Sequence, residues 1–408
     1  MKTDILFLCQ FFYPEYNSSA TLPFDTARFL AENGLRVSAL CGYPKEYSQA
    51  GRVPAKECAD GVSIRRIRYI ELDRKRKLGR LINYFSFTLA ALAHIRSLKD
   101  CGCVVVYSNP PVLPIVPIVA NTLYKTKFIF VAYDVYPEVA YASGTLEPGG
   151  LIDKVMRGIN SRLYRRCAAA VALTDEMREF LLENRPELSA DRVFTIPNWA
   201  HEKVLTPDRS AYERFGYRNG QFIVSYFGNM GTCQDVETML GAAERLKGSD
   251  AVRFLIVGHG NKKAQVGQRI AEKKLDNVRL LDFLTGRDFE QAVAVSSCCI
   301  VSLEKGLMGT CAPSKYYSYL QGGLPVLAVV EKDSYLAREV KREGIGLAVE
   351  VGDVDGLEKA IELLSCSPEL CAGMGEKARN LYLREYDYPL GMEKYRRLVE
   401  AVTEDSSV

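Results

Sequence analysis

Val104-Val105-Val106-Tyr107 is a continuous apolar run that ends at Ser108-Asn109-Pro110. A strand that is apolar at every position buries both of its faces, which is typical of a parallel sheet covered by helices on both sides. Similar runs alternate with longer helical patterns through the first half of the chain, which predicts an α/β domain. The predicted strands of this half are Asp4–Cys9, Val37–Gly42, Val62–Tyr69, Val104–Ser108, Phe128–Ala132, Ala169–Thr174 and Val193–Ile196.

The same alternation starts again after Pro197-Asn198-Trp199. We therefore predict an α/β protein of two doubly wound, Rossmann-like domains in residues 1–198 and 199–388, followed by a helix in 389–408 that packs back on the N-terminal domain. Ligands of open parallel sheets bind outside the carboxyl ends of the strands, so we expect the domains to face each other across a ligand-binding cleft. The predicted strands of the second half are Phe222–Phe227, Phe254–Val257, Val278–Leu281, Cys299–Val301, Val326–Val329 and Gly346–Val349.

The composition is that of an ordinary globular protein, because 48% of the residues are hydrophobic and 25% are charged. The longest apolar stretch, Leu81–Ile95, is interrupted by polar residues and is shorter than the roughly 18 residues needed to span a bilayer. The N-terminus has the pattern of a buried strand rather than of a signal peptide, so we expect a cytoplasmic protein. The 12 cysteines are scattered through apolar runs and only 3 histidines occur, which predicts reduced core thiols and no metal site.

Two loops have the small residues that let a backbone approach an anion. Ser18 and Ser19 precede a predicted helix near the end of the first strand, and Gly228-Asn229-Met230-Gly231 follows the first strand of the second half. Each signal is weak alone, because glycine and serine are also common in ordinary turns. The related stretch Val257-Gly258-His259-Gly260 lacks the third glycine of a dinucleotide fingerprint, which argues against NAD binding.

The most informative stretch begins with Pro313-Ser314-Lys315 and ends with Gly322-Gly323-Leu324-Pro325-Val326. Proline and serine favour the start of a helix, and the paired glycines favour its end. Lys315 would then lie in the first turn, where a positive charge opposes the helix dipole. A bound polyanion explains such a lysine better than helix stability does. By contrast, Asp353-Val354-Asp355 opens another predicted helix and is interpreted as a helix cap rather than a metal site.

These motifs, in order with Phe12-Tyr13-Pro14-Glu15 and Ile196-Pro197-Asn198-Trp199, resemble the GT-B glycosyltransferases of family 4. The chain most resembles transferases of bacterial capsule, O-antigen and exopolysaccharide assembly, of the fucosamine-transferase type. The resemblance implies a GT-B fold and a retaining hexosyl- or N-acetylhexosaminyl-transferase. Such an enzyme takes a sugar from a nucleotide-sugar, UDP-linked rather than GDP-linked, and delivers it to a lipid-linked glycan acceptor. It needs neither a metal nor a cofactor.

The resemblance also assigns expected roles to the domains and to single residues. The C-terminal domain would hold the donor nucleotide, and the N-terminal domain would hold the acceptor. Lys315 would contact the donor diphosphate, and Phe283 and Leu284 would pass the nucleobase. Asp134 matches a position near the reacting sugar, and Asp134 or Glu138 would act as base or bind sugar hydroxyls. The remaining candidate donor-binding residues are Ser314, Ser318, Gly228, Asn229, Gly231, Ser18 and Ser19.

The chain departs from the family pattern at four positions. Thr310 and Ser318 stand where relatives carry two glutamates, and Asn229 and Gln234 stand where many carry arginine and lysine. These departures leave Lys315 as the main cation for the donor. They leave open a degenerate transferase that acts as a non-catalytic partner subunit. A separate alternative is a GT-B epimerase or phosphorylase that acts on a nucleotide-sugar or glucan.

A basic run, Arg74-Lys75-Arg76-Lys77, leads into a helical pattern with Leu78, Ile82, Phe85, Leu89 and Leu92 on one side. A basic segment beside an amphipathic helix indicates attachment to an anionic membrane surface, and the alternative is a core helix after a solvated loop. We expect the protein to lie on the inner face of the cell membrane, with these four residues in membrane or acceptor contact. No aromatic-interleaved basic groove accompanies the run, so nucleic acid is not an expected partner.

Overall fold

The computed structural model describes residues 3–44, 51, 53–72, 77–200, 206 and 209–404. The chain divides into two units, each built around one sheet. The first unit contains Met1–Pro197, Gly309–Ala312 and Pro389–Val408, and the second contains Asn198–Met308 and Pro313–Tyr388. None of the helices in the described ranges is both long and apolar enough to cross a membrane.

Eight strands form the sheet of the first unit: β1 (Thr3–Leu8), β2 (Val37–Gly42), β3 (Lys56–Ala59), β4 (Val62–Ile67), β5 (Cys101–Tyr107), β6 (Lys127–Ala132), β7 (Ala169–Ala172) and β8 (Val193–Thr195). Their spatial order is β3-β4-β2-β1-β5-β6-β7-β8, and only the β3–β4 pair is antiparallel. The sequence predicts seven of these strands within a few residues. It misses β3, because this short edge strand has no apolar run.

The helices of this unit cover both faces of its sheet. One face packs Val104 and Phe128 against Phe87, Val116 and Leu163, which come from three neighbouring helices. The helices are α1 (Ser18–Glu32), α2 (Lys77–Ala93), α3 (Ile115–Tyr124), α4 (Glu138–Ala142), α5 (Leu151–Arg166) and α6 (Asp175–Asn184).

The second unit has six strands, all parallel, and its strand predictions also agree within a few residues. The strands are β9 (Phe222–Asn229), β10 (Val252–His259), β11 (Val278–Leu281), β12 (Cys298–Ser302), β13 (Val326–Val329) and β14 (Gly346–Val349), in the order β11-β10-β9-β12-β13-β14. The helices are α7 (Arg209–Arg214), α8 (Glu237–Arg245), α9 (Lys263–Lys273), α10 (Gly286–Ala294), α11 (Lys315–Gln321), α12 (Tyr335–Glu343), α13 (Val354–Cys366) and α14 (Pro368–Leu381).

Asp353 caps α13 as predicted, because its side chain accepts a hydrogen bond from the backbone N–H of Gly356 at 2.9 Å. This bond supplies a partner to one of the free N–H groups at the helix start. The Asp353-Val354-Asp355 motif is therefore accounted for by local structure.

The first unit takes two pieces from the far part of the chain. In the first piece, Cys311 forms an antiparallel bridge with Asp134, and the Thr310 carbonyl accepts a 2.7 Å bond from the Val135 N–H. The second piece is the last helix, α15 (Tyr388–Glu404), whose Val402 carbonyl accepts a 2.9 Å bond from Lys127 Nζ. The contribution of residues 309–312 was not predicted from the sequence.

Candidate functional site

In the second unit, two neighbouring strands end in glycine-containing loops. Gly228 on β9 lies in register with Gly258 on β10. The backbones approach so closely that a Cβ at Gly258 would lie 1.8 Å from the Gly228 carbonyl oxygen. Only glycine fits there, and the result is a narrow backbone edge at the carboxyl ends of the strands, where ligands of such sheets bind.

The loop after Gly228 has an N–H group that already holds an oxygen acceptor. The backbone N–H of Gly231 donates to the side-chain oxygen Oε1 of Gln234 at 3.0 Å. A neutral amide oxygen is a weaker acceptor than an ionised phosphate oxygen. An incoming anion can therefore replace Gln234 at this N–H.

Lys315, at the start of α11, has a buried amino group without a hydrogen-bond partner among the described residues. Its Nζ atom lies 3.6 Å from the ring centroid of Tyr226. Burial lowers the pKa of Lys315 to about 7, because the ammonium loses its water. No carboxylate among the described residues neutralises this group, so it is available to an anionic ligand.

The aromatic ring below Lys315 is held in place by the adjacent loop. Tyr226 is fully buried, and its hydroxyl donates a 2.6 Å hydrogen bond to the backbone carbonyl of Asn229. The face of a tyrosine ring attracts a cation, which partly compensates for the lost hydration of the lysine. Because α11 has only seven residues, we attribute the lowered pKa of Lys315 to burial, and the accommodation of its ammonium to this ring, rather than either to the helix dipole.

A buried carboxylate anchors the helix that carries Lys315. Glu339 accepts hydrogen bonds from the hydroxyls of Tyr316 at 2.6 Å, Tyr335 at 2.7 Å and Tyr386 at 2.6 Å. Burial, followed by the charge of Glu339, raises the pKa of Tyr316, so its hydroxyl stays a donor. Since Tyr316 is the neighbour of Lys315, this network fixes the start of α11.

We expect Glu339→Leu to lower the free energy of unfolding by about 3 kcal/mol, since each buried hydroxyl left without an acceptor costs about 1–3 kcal/mol. Urea denaturation followed by circular dichroism measures the change. Glu385→Leu is the matched control, because Glu385 is exposed and its replacement should change stability by less than about 0.5 kcal/mol. Equal losses in the two variants would show that the network contributes no special stability.

A second lysine near the glycine loop was missed by the sequence analysis. Lys262 Nζ donates to the backbone carbonyl of Gln234 at 2.7 Å and to the Glu304 carboxylate at 2.6 Å. It follows Gly258-His259-Gly260, which the sequence analysis considered only as a dinucleotide motif. Although Gln234 stands where many relatives carry a lysine, a lysine side chain from a neighbouring loop still reaches this place. In this structure its charge is paired with the Glu304 carboxylate.

The other predicted donor residues of this unit lie near its carboxyl edge or along α11. Phe283 packs edge-on against His259, with 5.2 Å between the ring centroids, and Leu284 packs against the hydrophobic core. Ser314 occupies the position before α11, and Ser318 lies within the helix. The structure thus brings Lys315, Ser314 and Ser318 together on one short element.

In the first unit, Asp134 lies directly after β6. Its backbone N–H donates to the Ser108 hydroxyl at 3.0 Å, and its carboxylate has no hydrogen bond or ion pair within the described ranges. Burial raises the pKa of Asp134 from 3.8 to about 6. A carboxylate with a raised pKa and no partner at the carboxyl edge of a parallel sheet is a candidate catalytic group.

Glu138 differs from Asp134, because it is already paired. Its carboxylate accepts a 2.6 Å bond from Arg185, which also donates to the Tyr136 carbonyl at 3.2 Å. The ion pair fixes the turn between Asp134 and α4. This arrangement favours a positioning role for Glu138 over the predicted role as base.

The remaining candidates are distributed as follows. Ser18 and Ser19 are the first residues of α1. Arg74, Lys75 and Arg76 lie outside the described residues, and Lys77 begins α2, although its side chain is not described. Within the described ranges, no three His, Cys, Asp or Glu side chains group in a way that could hold a metal ion.

Two family models together cover most of the chain. Residues 24–199 match a glycosyl transferase 4-like domain, and residues 221–366 match the group 1 glycosyl transferases. The chain belongs to the group 1 glycosyl transferases. In this glycosyltransferase the first match lies in the unit with Asp134 and the second spans Lys315.

Bacterial proteins are among the relatives of this glycosyltransferase. The chain is 25% identical over 338 residues to the probable glycosyltransferase WbjE of Pseudomonas aeruginosa. The aligned region covers 82% of each of the two chains. Among solved structures, sucrose-phosphate synthase of Thermosynechococcus elongatus matches with a TM-score of 0.79 at 14% identity, over 99% of this chain and 100% of that one. Anabaena HepE in complex with UDP-glucose matches with a TM-score of 0.72 at 14% identity, over 98% and 99%. These likenesses establish the GT-B fold, and the fucosamine-transferase type stays a prediction.

Proposed function

We propose that this glycosyltransferase moves a hexosyl or N-acetylhexosaminyl group, with retention, from a UDP-sugar to a lipid-linked glycan in bacterial surface polysaccharide synthesis. The observation that carries the proposal is the buried ammonium of Lys315, which has no counter-ion among the described residues and lies over the Tyr226 ring. Two further facts support it: HepE was solved with UDP-glucose, and another match, WaaG, is involved in lipopolysaccharide biosynthesis.

In the proposed donor complex, Lys315 and Ser314 bind the diphosphate, and the Gly231 N–H exchanges Gln234 for a phosphate oxygen. The narrow backbone edge at Gly228 and Asn229 lets the donor approach the strand ends. The backbone at Phe283 and Leu284 passes the nucleobase, and Ser318 contacts the nucleoside. Ser18 and Ser19 offer the first N–H groups of α1 to the donor.

In the proposed reaction, the bond between the sugar C1 and the diphosphate oxygen breaks while the acceptor oxygen bonds to C1 on the same face. The acceptor hydroxyl proton passes to the departing diphosphate, so no covalent intermediate and no metal are required. Lys315 stabilises the negative charge that develops on the diphosphate. The Asp134 carboxylate binds the sugar and stabilises the positive charge that develops on its ring.

The acceptor is proposed to be lipid-linked, and the protein to bind the inner face of the cell membrane. Its basic run at residues 74–77 supports this location, because each lysine or arginine near anionic lipid contributes about 1 kcal/mol. We do not propose nucleic acid as a partner.

A thermal-shift screen over nucleotide-sugars tests the donor. We expect a UDP-sugar to raise the Tm by about 5–10 °C at a concentration of a hundred times Kd, and a GDP-sugar to raise it less. Failure of every nucleotide and nucleotide-sugar to stabilise the protein would contradict the proposal and favour the non-catalytic partner subunit. The departures at Asn229 and Gln234 motivate that alternative. Conversion of UDP-N-acetylglucosamine to an epimer without an acceptor would favour the epimerase.

A further inference from the structure

Three of the five apolar residues in the predicted stripe of α2 face outward, whereas Ile82 is half-buried and Leu92 packs against the core of the first unit. Phe87 and Ala91 enter the core of the first unit, while Leu78, Phe85 and Leu89 are each more than half exposed. The inward side also carries polar groups: Asn83 pairs with both backbone groups of Leu72, at 2.7 and 2.9 Å. The alternative interpretation, in which the stripe belongs to the core, is wrong for these three residues.

A second exposed apolar cluster lies at the start of α5, and the sequence analysis did not identify it. Leu151, Ile152 and Val155 are all more than half exposed, and Leu151 reaches 79%. The only acidic residue of this helix, Asp153, is buried and bonded to Arg157 and to the Gly149 N–H.

The two clusters belong to one surface. Both helices pack on the same sheet face, and α3 lies between them in contact with each. A helix that connects two parallel strands runs back from the carboxyl ends, so α2 and α5 both begin at the edge where Asp134 follows β6. Leu78 and Leu151 therefore mark the same edge as the candidate catalytic carboxylate.

The helices of this surface carry exposed charge of one sign, and among the described residues the exposed acidic residue nearest to them in sequence is Glu147, in the loop before α5. Neither α2 nor α3 contains an acidic residue, and the exposed charged residues described on α2 and α5 are all basic. The exposed ones, Lys154, Arg157, Arg162, Arg165 and Arg166, all lie on α5, and Arg80 of α2 is half-buried. Of these, Lys154 and Arg157 lie in the first two turns of α5, beside Leu151, Ile152 and Val155. Protruding aliphatic side chains beside basic residues fit an anionic bilayer, where the apolar groups enter the lipid and the bases meet the headgroups.

We propose that the starts of α2 and α5 together form the bilayer-binding face of the first unit and insert Leu78, Phe85, Leu151, Ile152 and Val155 into anionic membrane. The inference rests on the proposed lipid-linked acceptor for its biological role. It extends the membrane contact beyond residues 74–77 and turns the Asp134 edge toward the bilayer, where the reducing-end lipid of the acceptor is anchored.

Vesicle sedimentation tests this face. We expect the full-length protein to bind phosphatidylcholine vesicles that contain about 30% of the anionic lipid phosphatidylglycerol. It should bind vesicles of pure phosphatidylcholine weakly. Leu151→Ser/Ile152→Ser/Val155→Ser should lower the partition coefficient at least about tenfold, because each leucine-sized side chain contributes about 1.5–3 kcal/mol when fully buried. Leu78→Ser/Phe85→Ser should do the same.

The matched control is Leu363→Ser/Leu370→Ser/Leu383→Ser, which changes apolar residues of the second unit that are 40–47% exposed and should bind vesicles as the wild type does. UDP binding, measured by calorimetry, should be equal in all these proteins, so a failed donor site cannot be mistaken for a failed membrane face. Wild-type vesicle binding by the α5 variant would overturn the proposal. So would a dimer in gel filtration that the α5 changes convert to monomer, because a second copy would then cover the patch.

Discussion

Lys315→Met is expected to lower the transfer rate by about 10²–10³ and to abolish measurable UDP binding, because it removes the cation proposed to meet the diphosphate. Methionine keeps most of the side-chain volume and has no charge to bury. The variant should therefore melt at or above the wild-type Tm. That combination separates loss of the ligand site from loss of the fold.

The pH dependence adds a sharper result. With a pKa of about 7 in the free protein, Lys315 is mostly neutral at pH 8, and a bound diphosphate raises that pKa because opposite charges favour the protonated form. Binding should therefore take up a proton, and UDP-sugar affinity should fall by up to about tenfold for each pH unit above 7. Calorimetry in buffers of different ionisation enthalpy measures the uptake.

Lys305→Met is the matched control, since Lys305 is an exposed lysine of the same unit. It should leave affinity, proton uptake and rate within about twofold, as expected for a surface change. Tight UDP binding by Lys315→Met, or equal effects of the two variants, would remove the basis of the proposed donor site.

Asp134→Asn is expected to lower kcat by about 10²–10³, the range typical of removing one electrostatic stabiliser of the transition state. UDP affinity should change little, because Asp134 belongs to the first unit and the proposed diphosphate ligands belong to the second. The raised pKa of about 6 gives an acid limb: the ionised fraction, and with it the rate, should fall by up to tenfold for each pH unit below 6. The variant should lack this limb.

Glu138→Gln serves as the comparison for Asp134. Its paired carboxylate should affect the rate through the position of the turn, so the acid limb near pH 6 should survive in this variant. A wild-type kcat in Asp134→Asn, or loss of the acid limb in Glu138→Gln alone, would contradict these roles. Glu138 would then be the group that acts on the sugar, and Asp134 would be the positioning residue.

The parallel sheets were predictable because the signal is local. Strand β5 contains the unbroken apolar run Val104–Tyr107, and β9 is apolar up to Phe227 except for Ser225. Turn residues follow both runs, and buried parallel strands typically have this pattern. The exposed edge strand β3 shows the limit: Lys56-Glu57-Cys58-Ala59 pairs with β4 without burying an apolar face. Its place depends on the strand beside it rather than on its own residues.

The site was predictable only in part, since its chemistry depends on non-local contacts. The sequence singled out Lys315 from the motif around it, but not the Tyr226 ring, which is 89 positions earlier and lies 3.6 Å from its ammonium. Lys262 likewise reaches Gln234 from a different loop. Periodicity found the apolar stripe of α2, but it did not show that Leu78, Phe85 and Leu89 are exposed while Leu92 packs against the core.

The interleaved path of the chain limits how this protein can be dissected. A recombinant fragment that stops at Pro197 would leave Val135 without the Thr310 carbonyl and Lys127 without the Val402 carbonyl. Replacing only residues 1–197 by those of a relative would place foreign side chains against residues 309–312 and the last helix. Chimaeras that exchange the proposed acceptor domain must therefore carry residues 309–312 and the last helix together with the N-terminal part.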